Sequence, residues 1–372
     1  MSHTPPHSYP LRPGAVIGIL GGGQLGRMLS VAAGRLGFQT HIYCPTAASP
    51  AMQLAAFSTE AAYEDIARVT DFAKHCDVVT YEFENIPETT AKAAMDIGPL
   101  HPGLGALLTA QDRLVEKTFL RDQAHVPVAP FAAINSVEDL TTAVATIGRP
   151  SVLKTRRFGY DGKGQVILRD DTDLKDAFKE LGGVPCILEG FIPFKRELSI
   201  IAARSVTGEF AAYPISENEH QNHILHRSTM PAPNLTNSLT DKAKAYAQNI
   251  LARLDYVGVI GVEFFDMGPE ADEGQLIINE IAPRVHNSGH WTQDAGCIDQ
   301  FELHIRAIAG WPLGDTQPKF RVEMTNLIGE DSQKWHDYAQ TDNHFLHLYG
   351  KVDTRPGRKM GHINKIIGAI SR

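Results

Sequence analysis

The stretch AVIGILGGGQLGRMLSVAAGRLG, residues 15–37, constrains this chain more than any other. Ala15 to Leu20 is a short apolar run broken at once by glycines, the pattern of a buried parallel strand. From Gln24 onward, apolar residues recur at three and four, the period of a helix. Between strand and helix, Gly21, Gly23 and Gly26 satisfy G-x-G-x-x-G. Such a turn offers backbone N–H groups and a helix N-terminus to a phosphate. A dinucleotide site would also need an acid at the end of the second strand, to hold ribose hydroxyls. The second strand, Phe38 to Tyr43, runs into CPTAASP, and no Asp or Glu lies between Gly26 and Glu60. That counts against a nicotinamide cofactor. A tight turn without ligand and a site for another phosphate both stay open.

Asp77 to Phe83 (DVVTYEF) reads as a further strand, so strands and helices alternate over residues 14–110 as a doubly wound α/β unit. At 372 residues the chain has room for two or three domains of about 150 residues. A second unit, 111–318, opens with the amphipathic helix QDRLVEKTFLRDQ (111–123), and its lid portion is expected over about 120–190. Its strands are SVLK (151–154), VIL (166–168), VPCILEGFI (184–192) and ELSIIAAR (197–204). A hairpin of GVIGVEFFD (258–266) and QLIINEIAP (275–283) follows around the acidic turn PEADEG. FELHIRAIAGW (301–311) reads as a helix. Residues 319–372 are short mixed segments that read as a small strand-rich terminal unit. Residues 1–13 are polar and proline-rich and read as a disordered lead-in, not a signal peptide. No apolar run approaches about 18 residues, so no membrane span is expected. Four cysteines lie far apart with no CxxC pair, which disfavours a zinc knuckle or disulfide framework. A net charge of -8 disfavours a nucleic-acid coat. A cytoplasmic protein is expected.

The second unit carries the chemistry. GYDGKGQ (159–165) is a glycine-rich turn with Lys163 inside. It is not a P-loop, because Gln165 follows Gly164, but it can fold over a triphosphate and exclude water. Lys154, flanked by apolar residues on a strand, wants an anionic partner. The alternative is an ordinary turn between strands. In the hairpin, Glu263 sits in GVEFF, and Asn279 and Glu280 sit in IINEIAP. Two carboxylates and an amide on adjacent strands make an oxygen set suited to Mg²⁺ with substrate phosphates. Structural salt bridges are the competing reading. Beyond them, Arg284, His286, Asn287, His290 and Trp291 crowd into eight residues without an amphipathic period, as in a substrate loop.

In this order, GILGGGQLGRML (18–29), VVTYEFENIP (78–87), RFGYDGKGQ (157–165), RELSIIAAR (196–204), YPISENEH (213–220) and NEIAPRVHNSGHWT (279–292) resemble an ATP-grasp ligase family. That family is the N5-carboxyaminoimidazole ribonucleotide synthases, and the resemblance covers about residues 14–365. Val285 stands where the family usually has Pro, and His223 where it usually has Gly. The resemblance implies an ATP-grasp fold: an N-terminal Rossmann-like domain, a lid, a nucleotide-binding core and a C-terminal unit. It implies ATP-dependent carboxylation of aminoimidazole ribonucleotide by bicarbonate, through carboxyphosphate, in purine synthesis. It places Arg113 and Lys154 on the nucleotide phosphates, with Gly159, Tyr160, Asp161, Gly162, Lys163, Gly164 and Gln165 closing over them. Glu189, Gly190, Phe191 and Ile192 would line the adenine, Glu197 would hold the ribose, and His220 would complete the pocket. Glu263, Glu280 and Asn279 would hold Mg²⁺ or Mn²⁺. Gln24, Leu25, Lys351 and Arg358 would hold the ribonucleotide phosphate, and Glu84 would sit near its ribose. Tyr160, Asp161, Arg284, His286 and Asn287 would surround the aminoimidazole and bicarbonate. A homodimer is implied, with no nucleic-acid or membrane partner. A formate-dependent glycinamide ribonucleotide transformylase, an NAD-dependent oxidoreductase and a catalytically dead nucleotide-binding scaffold are the alternatives.

Overall fold

The computed structural model describes residues 9–159, 162–268 and 275–370. Tyr160, Asp161 and the acidic turn at 269–274 therefore lie outside the described residues, as do the first eight residues of the expected lead-in.

The first glycine loop sits where the sequence reading puts it. Strands β1 (Val16–Leu20), β2 (Gln39–Cys44), β3 (Phe57–Glu60) and β4 (Val78–Tyr81) form a parallel sheet in the order β3-β2-β1-β4. The helix Gln24–Arg35 buries Leu25, Met28, Leu29, Ala32 and Ala33 at three- and four-residue spacing, against Ile17, Ile19 and Ile42. The opposite face of the sheet is covered by Val69, Phe72, Ala91 and Ala94 of two further helices. Both faces are dry, which is why β1 and β4 read as unbroken apolar runs.

The lead-in reading fails over residues 9–13. Leu11 is buried, its N–H donates to the Ala309 carbonyl at 2.9 Å, and its own carbonyl accepts from Trp311 Nε1 at 2.8 Å. The segment seals the end of the helix Gln300–Ala309, an anchor nearly three hundred residues away that local composition cannot show.

A second sheet is small and antiparallel: β5 (Phe131–Ile134), β6 (Ser151–Thr155), β7 (Gln165–Leu168) and β8 (Cys186–Gly190), in the order β5-β8-β6-β7. It has its own core of Ile134, Leu140, Leu153, Leu168 and Leu188. The glycine-rich turn joins β6 to β7, and Lys154 pairs with Gln165 at its base.

The third sheet has nine strands among the described residues: β9 (Arg196–Arg204), β10 (Phe210–Ala212), β11 (Ser216–Gln221), β12 (Ile224–Met230), β13 (Gly258–Asp266), β14 (Leu276–Ala282), β15 (Phe320–Ile328), β16 (His344–Leu348) and β17 (Lys359–Ala369). Its order is β14-β13-β9-β11-β12-β15-β17-β16, with β10 also on β9. The C-terminal residues do not form short segments packed on a core. β15 hydrogen-bonds to β12, so they continue the same sheet, and β15 and β17 are nine and eleven residues long. Register shifts in their pairing and the glycines at 361 and 368 interrupt the alternation by which a strand is read. No helix among the described residues is long and apolar enough to cross a membrane.

His304 ties the first sheet to the third. Its Nδ1 accepts from the Val259 N–H of β13 at 3.1 Å, so Nε2 carries the proton and donates to Thr80 Oγ1 of β4 at 2.9 Å. Burial, with His101 nearby, lowers its pKa to about 3. The ring is therefore neutral in the fold and titrates near 6.5 only when unfolded. His304→Gln should cost roughly 1–3 kcal/mol above pH 6.5, from lost buried hydrogen bonds. Below that pH the unfolded wild type gains a proton, so its advantage should shrink by about 2 kcal/mol at pH 5. Urea denaturation of both proteins at pH 7.5 and pH 5 measures the gap; a gap that widens on acidification contradicts the assignment.

Candidate active site

A cavity of about 620 Å³ lies where the three sheets meet. At one corner, the β13–β14 register sets Glu263 directly opposite Glu280. Like charges facing across strands repel. Burial, and next Glu280, push the Glu263 carboxyl up to about 7. The Asn279 side chain hydrogen-bonds Glu263, and Arg113 Nη1 lies 3.2 Å from Glu280 Oε2. Among the described residues, no group of three His, Cys, Asp or Glu side chains is placed to hold a metal. Two carboxylates and an amide still fit a hard cation that draws its remaining oxygens from phosphate and water.

The cationic wall faces this corner. Lys154 Nζ is 3.1 Å from Glu189 Oε2, and Lys117 Nζ is 3.4 Å from the same oxygen. Burial pushes the Glu189 carboxyl up, but the two lysines outweigh it and hold it down to about 2. Burial lowers the pKa of Lys154. Lys117 also donates to the carbonyls of Ile278 and Asn279, at 3.2 and 2.6 Å, bracing the strand that bears Glu280 from behind. Glu189 thus turns its side chain to the lysines, and the wall continues through Gly190, Phe191 and Ile192. Glu197 and His220 are paired at the next position along the wall. Burial opposes protonation of His220, but Glu197 wins and raises its pKa.

From the glycine-rich turn, Gly159, Gly162, Lys163 and Gln165 line the cavity, whereas Gly164 does not. Gly164 packs on Thr155, where an added Cβ would lie 2.6 Å from Oγ1. The Gly159 carbonyl accepts from Arg113 Nη2 at 3.2 Å, which ties the turn to the carboxylate corner.

At the other end of the cavity, Arg284 Nε is 2.6 Å from Glu84 Oε2 and Arg284 Nη2 is 3.3 Å from Glu84 Oε1. Burial raises the Glu84 pKa, but Arg284 outweighs it and holds the carboxyl at about 2. Burial, then Arg284, lowers His286 to about 3, so its ring is neutral. Asn287 lines the cavity with neither amide atom paired among the described residues. A buried amide of that kind calls for a partner beyond the described residues. Gln24 and Leu25 also line the wall. Lys351 and Arg358 do not: Lys351 Nζ donates to the Lys359 carbonyl at 2.7 Å, and Arg358 Nη1 to the Asp353 carbonyl at 2.8 Å. Burial, then Arg358, lowers the Lys351 pKa to about 8. The side chain of Lys359 reaches the cavity instead.

Sequence reasoning missed Glu82, Lys117, Lys359 and the ring of His223. Glu82 follows β4 and turns its carboxylate into the first glycine loop, accepting from the N–H groups of Gly23 and, at 2.7 Å, Gly26. An added Cβ at Gly21 would lie 2.3 Å from Glu82 Cγ, and Gly21 has φ +122°, so glycine is required there twice over. Two of the loop's backbone donors are thus taken up by an acid of the chain itself, from just beyond β4. The signal for Lys117 was present: Arg113, Glu116, Lys117 and Leu120 share one helical stripe, and Glu116, Lys117 and Leu120 are buried.

The chain matches three family models in succession. They are the ribonucleotide synthetase preATP-grasp domain over residues 15–111, the ATP-grasp domain over 119–301, and the phosphoribosylaminoimidazole carboxylase C-terminal domain over 323–369. It is 46% identical to the N5-carboxyaminoimidazole ribonucleotide synthase of Brucella melitensis, over 96% of this chain and 97% of that one. A solved N5-carboxyaminoimidazole ribonucleotide synthetase in complex with ADP superposes with TM-score 0.91 at 42% identity, covering 96% of this chain and 94% of the other. The Aspergillus clavatus enzyme, solved with ADP and 5-aminoimidazole ribonucleotide, superposes with TM-score 0.86 at 30% identity, over 96% and 94%. With an ATP-grasp core and full-length relatives of one kind, the chain belongs to the N5-carboxyaminoimidazole ribonucleotide synthase family of ATP-grasp ligases.

Proposed function

We propose that this chain carboxylates 5-aminoimidazole ribonucleotide with bicarbonate and ATP, releasing ADP and phosphate. The observation that carries the reading is one continuous cavity, with lysines and facing carboxylates at one end and the first glycine loop with Arg284 at the other. Such a cavity lets a phosphoryl donor and a second anionic substrate meet without passing through water.

Arg113 and Lys154 would bind the nucleotide phosphates, with Lys154 sharing its charge between them and Glu189. Glu197 and His220 would take the ribose, and the segment Glu189 to Ile192 the adenine. The four-stranded unit would act as the lid, with the turn from Gly159 to Gln165 closing over the phosphates. Glu263, Glu280 and Asn279 would hold magnesium, which when bound neutralises charge on the transferred phosphoryl group. Bicarbonate is a poor electrophile, and phosphorylation by ATP converts it to carboxyphosphate. Arg284, kept charged and oriented by Glu84, would bind that anion. His286, being neutral, can orient it by hydrogen bonding without carrying charge of its own. The aminoimidazole amine then attacks the carboxyl carbon, or CO₂ released from it, phosphate leaves, and the departing phosphate can take the amine proton. Gln24 and Leu25 would meet the ribonucleotide phosphate through their backbone, with Lys359 of β17 supplying positive charge at the cavity and Lys351 and Arg358, in the connection that precedes β17, adding theirs from outside its lining. Tyr160, Asp161 and Asn287 would complete this side. The homodimer implied by the resemblance and the cytoplasmic location expected from the sequence belong to the same proposal, and light scattering tests the former.

Two outcomes are expected. Bicarbonate carrying heavy oxygen should deliver one labelled oxygen into the phosphate released, read by mass spectrometry; unlabelled phosphate would contradict the carboxyphosphate route. Arg284→Ala should lower kcat by roughly 10²- to 10³-fold, the loss seen when one charge-stabilising donor is removed, while the KM for ATP moves by less than about threefold. Unchanged turnover in a folded variant removes Arg284 from the reaction.

A further inference from the structure

We infer that His223 is a positioning residue that sets the glycine-rich turn over the nucleotide phosphates; this rests on the ATP-site reading above. β11 and β12 are joined through Asn222 and His223, which have φ of +51° and +64°. A two-residue hairpin with both central residues left-handed suits Asn followed by Gly. Asn222 meets that rule and His223 breaks it. A side chain held in a left-handed backbone persists where its surroundings fix it.

The surroundings are the opposite wall of the cavity. The His223 ring lies on Gly162: a Cβ added there would sit 2.4 Å from ring Cγ and 2.6 Å from Cδ2. Gly162 itself has φ +77°, so the turn presents bare backbone to the ring. Both residues line the cavity. Gly162 belongs to the connection between β6 and β7 in the four-stranded sheet, and His223 to the nine-stranded sheet. The contact therefore bridges the two units that enclose the nucleotide, and it does so at the turn that covers the phosphates. A ring at this point limits how far the Gly162 limb can swing, and so lowers the ordering cost that ATP binding must meet.

The test is steady-state kinetics and thermal melting on His223→Gly and His223→Asn, with Lys154→Met as control. Glycine relieves the backbone; asparagine tolerates the left-handed region but lacks the ring. Both variants should raise the KM for ATP roughly threefold to tenfold, with the KM for aminoimidazole ribonucleotide within about twofold. His223→Gly should melt no lower than the wild type. An ATP KM unmoved in both variants overturns the proposal, provided Lys154→Met raises it. An effect of glycine that asparagine does not share assigns it to backbone flexibility and also overturns the proposal, as does a parallel change in both KM values. If Lys154→Met leaves ATP binding unmoved, the ATP-site reading falls and this inference with it.

Discussion

The site depends on two carboxylates that the β-sheet forces to face each other. Glu263 and Glu280 are direct cross-strand partners, and that register is set by the rest of the hairpin. Val262, Phe264, Leu276, Ile278 and Ile281 are buried in the core behind it. A slip of one residue would turn every one of these side chains to the other face, so the apolar pattern holds the acids in place. Each buried apolar side chain contributes about 1.5–3 kcal/mol, enough together to outweigh the repulsion of one carboxylate pair. The repulsion is then available to be relieved by a cation.

Around this pair, cations and carboxylates alternate. Arg113 meets Glu280, Lys154 and Lys117 share Glu189, and Arg284 meets Glu84. Each basic group is thus paired with a carboxylate inside the protein. In the function proposed above, an incoming phosphate would find Lys154 already oriented and would compete with one carboxylate oxygen, not with bulk water. Glu116 departs from this alternation: burial, then Glu280, raise its carboxyl to about 8, and it accepts from the Ile281 N–H at 2.6 Å. Arg284 lies at the glycine-loop end of the cavity, on the segment that leaves β14, so the strand bearing Glu280 also delivers the arginine.

Much of this was legible in the sequence because the features are local. A strand, a G-x-G-x-x-G turn and an amphipathic helix in succession specify a doubly wound unit, and the structure builds it from those residues. The carboxylates of the hairpin could be paired because both strands were readable from their β-branched runs. What escaped was long-range. Glu82 reaches the glycine loop only because β4 lies beside β1, a neighbour relation that a single sequence does not display. Leu11 is ordered by Ala309 and Trp311. Lys351 and Arg358 carry the right charge, but both donate to backbone carbonyls in the connection before β17, and Lys359, the first residue of β17, lines the cavity instead.

The most direct measurement is ADP release from Mg-ATP and bicarbonate, with and without 5-aminoimidazole ribonucleotide. A cavity that brings both substrates together predicts release that depends on the ribonucleotide and on bicarbonate, with formate unable to replace bicarbonate. Release that ignores the ribonucleotide, or that follows formate with glycinamide ribonucleotide, in a folded protein that binds ATP, would contradict the account.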